Sequence, residues 1–437
     1  GSPSWGHEAR FARKADRVAN WDALFAKVSE WSVNYDKKTI AELAQTAHVP
    51  SFPLCELAEH FSLEQLKHRD FFKELEINGF ACRVPGSAFG LTVRQGAGLA
   101  SQALASLPLT GFRVLDFSWV IAGPTVTRTL AAMGAEVIKV ERPGVGDDTR
   151  TWGPPWWGEG DQRVAAYFLC ANRGKRSVAI DIASAEGISQ IKQLVADADV
   201  LIENYKVGQL AKYGLDATSL QALNPRLIYC SITGYGQQGP LSHKAGYDFA
   251  IQAEAGLMSI TGEKGGEPQK VGVAVTDLMT GVYATTAILA ALHERNTTGL
   301  GRHIDASLFD VQVAMLANQA SNELVGHTHP TRMGNAHPNI VPYQVFPTRD
   351  GHMVLAVGND GQFERFCLAA GHPEVATDPA YKTNPARVQN RQTLVPMLTT
   401  WTMQRDTAEW GQLLDGASVP CSPILDVEQV MKHPHVL

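Results

Sequence analysis

One register, offset by 370 residues, ties the two ends of this chain together. Arg17-Val18 and Asn20 recur as Arg387-Val388 and Asn390, Leu24 as Leu394, and Trp31 as Trp401. Leu43, Ala47, Val49-Pro50 and Pro53 continue it as Leu413, Ala417, Val419-Pro420 and Pro423. After a short insertion, Lys67-His68 answers Lys432-His433. So long an offset is no solenoid period and implies duplication of a whole domain. The reading therefore places the C-terminal part of a first copy in 1–94 and a linker of small residues in 95–106. Most of a second copy follows, as a large domain over 107–330 and a small domain with a helical segment over 331–437. Both ends, at Gly1-Ser2 and at His435-Val436-Leu437, are expected to be cut from something longer.

Within the second copy, short apolar runs alternate with helical stretches. Strands are expected at 113–118, 134–141, 200–203 and 227–232, with helices at 125–133, 186–196 and 219–223. That alternation predicts an α/β fold: a Rossmann-like parallel sheet with helices on both faces. Ligands then meet the carboxyl ends of the strands. A long helix is expected over 278–293, after an apolar run at 271–276 that reads as a buried strand end. Around 351–369 a strand and a helix suggest a smaller α+β unit.

A net charge of -6 leaves no basic surface for a nucleic acid. The six cysteines show no metal-like spacing and read as reduced thiols of a cytoplasmic protein. His327, His329, His337 and His352 lack ligand spacing, so no metal is expected. No stretch approaches the roughly 18 apolar residues of a membrane span. There is no P-loop, GxSxG elbow, HExxH or GxGxxG, and Ala122-Gly-Pro-Thr125 stands after the first strand.

Asp277, at the start of the long helix, carries two readings: an N-cap, or a carboxylate nucleophile that forms a covalent acyl intermediate. The positive helix end would keep it ionised. Arg142 and Arg150 lie past the second strand, where they either meet an anionic phosphate chain or are solvated surface cations. Asn204-Tyr205 either frames an adenine or is an ordinary strand exit. Trp119, Trp152, Trp156 and Trp157 either pack a lid or form a box for a cationic substrate.

The motifs, taken in order, resemble those of the class III CoA-transferases. They are Leu109 to Arg142, Gly146-Asp-Asp-Thr-Arg150, Asn172-Arg-Gly-Lys-Arg-Ser177, Glu203-Asn-Tyr205, Thr233-Gly-Tyr-Gly236, Ala245-Gly-Tyr-Asp248, Val273-Ala-Val-Thr-Asp277 and Gly299-Leu-Gly-Arg302. The resemblance implies that Asp277 attacks an acyl-CoA thioester and becomes first an anhydride and then an aspartyl-CoA thioester. It places Ile121 and Ala122 at the CoA thiol end, Arg142 on a phosphate, and Ile180, Asn204 and Tyr205 at the adenosine. Lys212, where the family often has arginine, and Tyr235 join the CoA contacts. Ile121 replaces a polar residue and Ala183 a basic one. Trp119, Trp152 and a mobile loop at Gly334-Asn335 are expected around the acceptor. No cofactor is bound permanently, since CoA and acyl-CoA are substrates, and copies are expected to pair as interlocked rings. A tandem member of the family acts on dimethylsulfoniopropionate and releases dimethyl sulfide, and that acceptor is the expectation here. The alternatives are a succinyl-CoA-dependent dicarboxylate acceptor and an inactive CoA-binding module.

Overall fold

The structure is a computed structural model. It describes residues 107–431 apart from 325, together with 433 and parts of the N-terminal region: 5, 8–12, 17, 20–36, 39–40, 43 and the strands Phe72–Ile77 and Phe80–Pro85. The linker expected at 95–106 lies outside the described residues, as do Ala47, Val49-Pro50, Pro53 and Lys67-His68 of the repeat. The chain divides into two compact units. One is Gly1–Glu74 with Arg83–Gly86 and Leu425–Leu437, and the other is Leu75–Cys82 with Ser87–Ile424.

The larger unit is built on six parallel strands: β1 Arg113–Asp116, β2 Glu136–Glu141, β3 Lys175–Ala179, β4 Val200–Glu203, β5 Ile228–Thr233 and β6 His303–Ser307. Their spatial order is β6-β5-β4-β1-β2-β3. Because side chains alternate across a strand, Val114 and Leu115 enter opposite cores. Val114, Ile202, Cys230 and Ile232 pack under α1 (Ala122–Ala132) and α6 (Val275–Thr298). Leu115, Leu201 and Tyr229 pack with Ile191, Val195 and Leu220 of α3 (Ala185–Ala196) and α4 (Ala217–Leu223). The expected Rossmann-like α/β sheet is thus present. Strands β3 and β6 escaped the reading because they are edge strands: in β3, Arg176, Ser177 and Ala179 are exposed, and only the Lys175 ammonium is buried. Natural sheets use such charges to blunt an edge.

Three expectations change. Residues 271–274 form no strand; the Val271 N–H goes to the Gln252 side chain, 2.9 Å away, rather than to a ladder. Helix α6 begins at Val275 and runs to Thr298, where Gly299 closes it at φ 73°. It is also long and apolar enough to cross a membrane by length and composition. Here it is a core helix, with Ala284 and Ile288 fully packed against the sheet.

A second core lies between the antiparallel strands β7 (Tyr343–Pro347), β8 (His352–Ala356) and β9 (Cys421–Pro423) and the helices α8 (Asp360–Ala370), α9 (Arg391–Thr402) and α10 (Thr407–Gly416). Leu394, Leu398 and Trp401 of α9 are buried there. In the other unit the helix Trp21–Ser32 repeats the sequence of α9 but buries no residue, and Trp21, Phe25 and Trp31 are exposed.

Candidate active site

The strand order reverses between β1 and β4, so the loops that leave them diverge and open a crevice at the carboxyl end of the sheet. Asp116, at the end of β1, anchors the first loop. Its carboxylate accepts hydrogen bonds from the Ser118 N–H (3.0 Å), the Thr127 hydroxyl (2.7 Å) and the Lys175 ammonium (2.9 Å). Lys139 stands between Asp116 and Asp147, 3.0 Å from the latter, and donates to the Ser118 carbonyl at 2.6 Å. All four charged groups are buried. Burial opposes the charge on Asp116, but Lys139 and Lys175 outweigh it and hold the carboxyl far below its ordinary range. The same contacts leave Lys175 at about 8, with burial the largest cause.

This cluster fixes Ser118 to Ile121, where Val120 adopts φ 69°, a strained conformation for a β-branched residue. The loop from β4 grips it from the other side. Asn204 exchanges two hydrogen bonds with the Trp119 backbone (2.9 and 3.1 Å), and the Tyr205 ring meets the Trp119 indole edge-on at 4.3 Å.

Two cavities flank this shared wall. One, of about 460 Å³, is lined by Arg142, Ile180, Tyr205 and Tyr213. The other, of about 210 Å³, runs past Ile121, Ala122 and Asn204 to Asp277. Trp119, Tyr205, Gln209 and Tyr247 belong to both, so together they form a trench that reaches the carboxylate.

Asp277 occupies the third helical position of α6 and does not cap it. The cap comes from Asp248, the first residue of α5 (Asp248–Glu254), whose Oδ1 accepts the Thr276 and Asp277 N–H groups at 2.8 and 3.3 Å. Gln252 holds the other oxygen of Asp248 at 2.6 Å. Gly281 lets α6 approach the start of α1, since a Cβ there would lie 2.9 Å from Thr125. Asp277 is 9% exposed and lines the cavity, and among the described residues no donor is bonded to its carboxylate. The expectation that the helix end keeps it ionised is not met. Burial, and secondly the negative charge of Asp248, push it up to about 7. Such a carboxylate is a strong base and nucleophile once deprotonated.

Ile121, Ala122, Arg142, Ile180, Asn204, Tyr205 and Trp119 all line the trench. Lys212, on an exposed turn, and Tyr235, whose hydroxyl donates to Glu254 at 2.6 Å, do not. Ala183 lies just past the lining residues Asp181 and Ile182. Gly334 donates its N–H to the Gly262 carbonyl, and neither it nor Asn335 lines the Asp277 cavity. The Arg150 guanidinium is taken up by Glu141 in a bidentate pair at 2.7 and 2.8 Å. The indoles share no box: Trp119 meets Tyr205, Trp152 meets Tyr167, and Trp156 lies under Arg163. Sequence reasoning missed Asp248 as the cap and Tyr167, whose phenol is raised by burial and then by the charge of Asp277. Neither carries a local signal, because 29 residues separate Asp248 from the N–H of Asp277.

A trench at the switch point of a doubly covered parallel sheet, with a sheltered carboxylate on its lining, is where an α/β enzyme binds its substrate. The chain belongs to CoA-transferase family III, which it matches over residues 1–100 and 109–437. It is 50% identical over 331 residues to the succinate–glutarate CoA-transferase of Agrobacterium fabrum, covering 75% of this chain and 83% of that one. It is 46% identical over 330 residues to the human succinyl-CoA:glutarate CoA-transferase, covering 76% and 74%. A CAIB/BAIF family protein of Brucella suis superposes with a TM-score of 0.68 at 50% identity, over 76% of this chain and 87% of that one. CoA thioesters are therefore its substrates.

Proposed function

We propose that this enzyme moves CoA from succinyl-CoA to a glutarate-like dicarboxylate, with Asp277 as the covalent carrier. One observation carries the reading: a sheltered carboxylate, Asp277, lines the smaller cavity at the end of a trench, with Lys206 and Lys244 as the other charged groups on that lining. Ionised Asp277 attacks the thioester carbonyl and CoA thiolate leaves, giving an aspartyl–succinyl anhydride. The thiolate returns to the aspartyl carbonyl, and succinate departs with the bridging oxygen. The acceptor carboxylate then displaces the thiolate from the aspartyl thioester to form a second anhydride. Attack of the thiolate on its acyl carbonyl releases the new acyl-CoA and restores Asp277. In this reading the free N–H groups at the start of α1, which follows Ile121, receive the developing oxyanion. Arg142 faces the phosphates and Tyr205 and Ile180 the adenosine.

The relatives support the dicarboxylate acceptor over dimethylsulfoniopropionate, and the separated indoles offer a sulfonium no cage. The four free cysteines among the described residues fit a cytoplasmic enzyme, and pairing of two copies as interlocked rings remains part of the proposal. The test is product formation from succinyl-CoA with glutarate, dimethylsulfoniopropionate or oxalate offered separately. Glutaryl-CoA formed fastest supports the reading, whereas dimethyl sulfide in the headspace with no glutaryl-CoA refutes it.

Tyr167 packs against Trp152, 5.1 Å apart between ring centroids, and its phenol is within reach of the Asp277 charge. Tyr167→Phe removes one phenol donor near the reacting acyl group. The expected result is about a tenfold loss in kcat with CoA affinity unchanged, read by steady-state kinetics beside calorimetric CoA titration.

A further inference from the structure

Beneath the shared wall of the trench lies a second polar cluster that the transfer chemistry leaves unused. Glu203 ends β4 with 5% of its surface exposed. Its Oε2 accepts the Tyr205 N–H at 2.8 Å. In register beside it stands Ser231 of β5, and beside Ser231 stands Asp305 of β6. The Ser231 hydroxyl lies 3.0 Å from Nε2 of His303 and, as the cross-strand neighbour of Glu203, favours the charged form of its carboxyl. A cavity of about 280 Å³ opens onto Glu203, Ser231 and His303, so protons from solvent reach the cluster.

We propose that Glu203 is a positioning residue for the CoA-binding wall, linked through Ser231 to His303 in a relay that makes CoA affinity respond to pH. The proposal rests on the trench being the CoA site. Glu203 touches no substrate; it acts through its two chain neighbours. Tyr205 is held at its N–H, and Asn204 locks the Trp119 backbone by two hydrogen bonds. Tyr205 and Trp119 line both cavities, so loosening their anchor widens the whole wall. An ionised Glu203 makes the Tyr205 bond charge-assisted, roughly twice as strong as the neutral one. A protonated Glu203 instead donates to Ser231, and Ser231 then donates to neutral His303.

The groups facing Glu203 set the pH at which this happens. They are Ser231, Tyr229 and Cys230 from β5, His303 and Asp305 from β6, Tyr205 and Lys206 from the following loop, and Asp216 at the cap of α4. Burial raises Glu203 most, the Ser231 and Tyr205 donors pull it down, and Asp305 raises it again; the balance is about 7. Burial also lowers His303, against the pull of Asp305 and Asp216. The relay therefore changes state within the neutral range.

The sign follows. CoA binding is weaker below this point and tighter above it. In calorimetric titrations of the whole protein with CoA between pH 6 and 8.5, the wild-type Kd is expected to fall about three- to tenfold more than that of Glu203→Gln. The difference between the two proteins cancels the titration of the ligand's own phosphate. Ser231→Ala removes a lowering donor and should move the inflection to higher pH. Asp305→Asn removes a repelling charge and should move it to lower pH, while still accepting the Gln237 N–H. Opposite shifts are what a merely structural role would not produce. Parallel Kd–pH curves for wild type and Glu203→Gln would overturn the proposal, as would shifts of one sign in the other two variants. A CoA affinity that follows pH as expected, in a protein that forms no aspartyl adduct, would uphold the relay and sink the carrier role of Asp277 instead. A wild type that binds no CoA would overturn both.

Discussion

Asp277→Asn is expected to abolish CoA transfer and, at pH 8, to make the protein more stable. Activity should drop on the order of 10⁴-fold or more, because an amide oxygen cannot attack a thioester. The stability gain follows from linkage. The carboxyl titrates at about 7 in the folded protein against an ordinary 3.8, because burial and then Asp248 disfavour its charge. A raised carboxyl contributes its full stability below the unfolded value, and loses it as pH rises through the folded one. Ionising it at pH 8 therefore costs roughly 3–4 kcal/mol, a cost that asparagine does not carry. Melting curves should show the variant higher by about 5 °C or more at pH 8, and level with wild type at pH 4. A variant that melts lower at pH 8 would mean that the carboxylate is stabilised by contacts absent from this structure. The same titration makes the rate of adduct formation rise with pH through about 7.

Asp116→Asn should be the most damaging change outside the reacting atoms. It leaves the Lys139 and Lys175 ammonium groups, each 2% exposed, with Asp147 as their remaining anion. Breaking a buried pair on one side costs about 3–5 kcal/mol, since the partner charge stays desolvated. The expected outcome is a melting temperature lower by roughly 10 °C, with weakened CoA binding because the Ser118–Ile121 loop loses its anchor. Adding Lys175→Met removes one of the stranded cations, so the double variant should recover part of the loss; strictly additive effects would refute the coupling. In the wild type the depressed carboxyl stabilises above its unfolded value of 3.8 and loses that contribution as pH falls below it. Acid unfolding should accordingly steepen below about pH 4.

Much of this was legible in the residues. The alternation of Val114-Leu115, Val137-Ile138 and Leu201-Ile202 with helical runs defines a doubly covered parallel sheet, because one side chain of each pair must be buried on either face. Asp277 stands out as a lone carboxylate opening an apolar helix. What escaped depends on contacts between distant segments. The Val-Gly-Val-Ala-Val run before Asp277 reads as a strand by period alone, yet its amide goes to Gln252 of another helix. The pKa of Asp277 is raised first by burial and then by Asp248, which lies across the helix junction, and together they reverse what the helix end alone would do. Arg150 looks like a phosphate ligand until Glu141, itself held by Ser177, is seen to pair with it over the Phe168 ring. Lys139, Lys175 and Glu203 look like surface charges in the sequence, and only the sheet register shows them buried.

The most direct test of the central claim is to mix the protein with succinyl-CoA alone, quench in acid and map the digest by mass spectrometry. The account predicts CoA bound through a thioester to the peptide that contains Asp277, no such adduct on Asp277→Asn, and discharge of the wild-type adduct by glutarate as glutaryl-CoA. Glutaryl-CoA formed at full rate by the wild type, with no aspartyl adduct trapped at any time point, would contradict it.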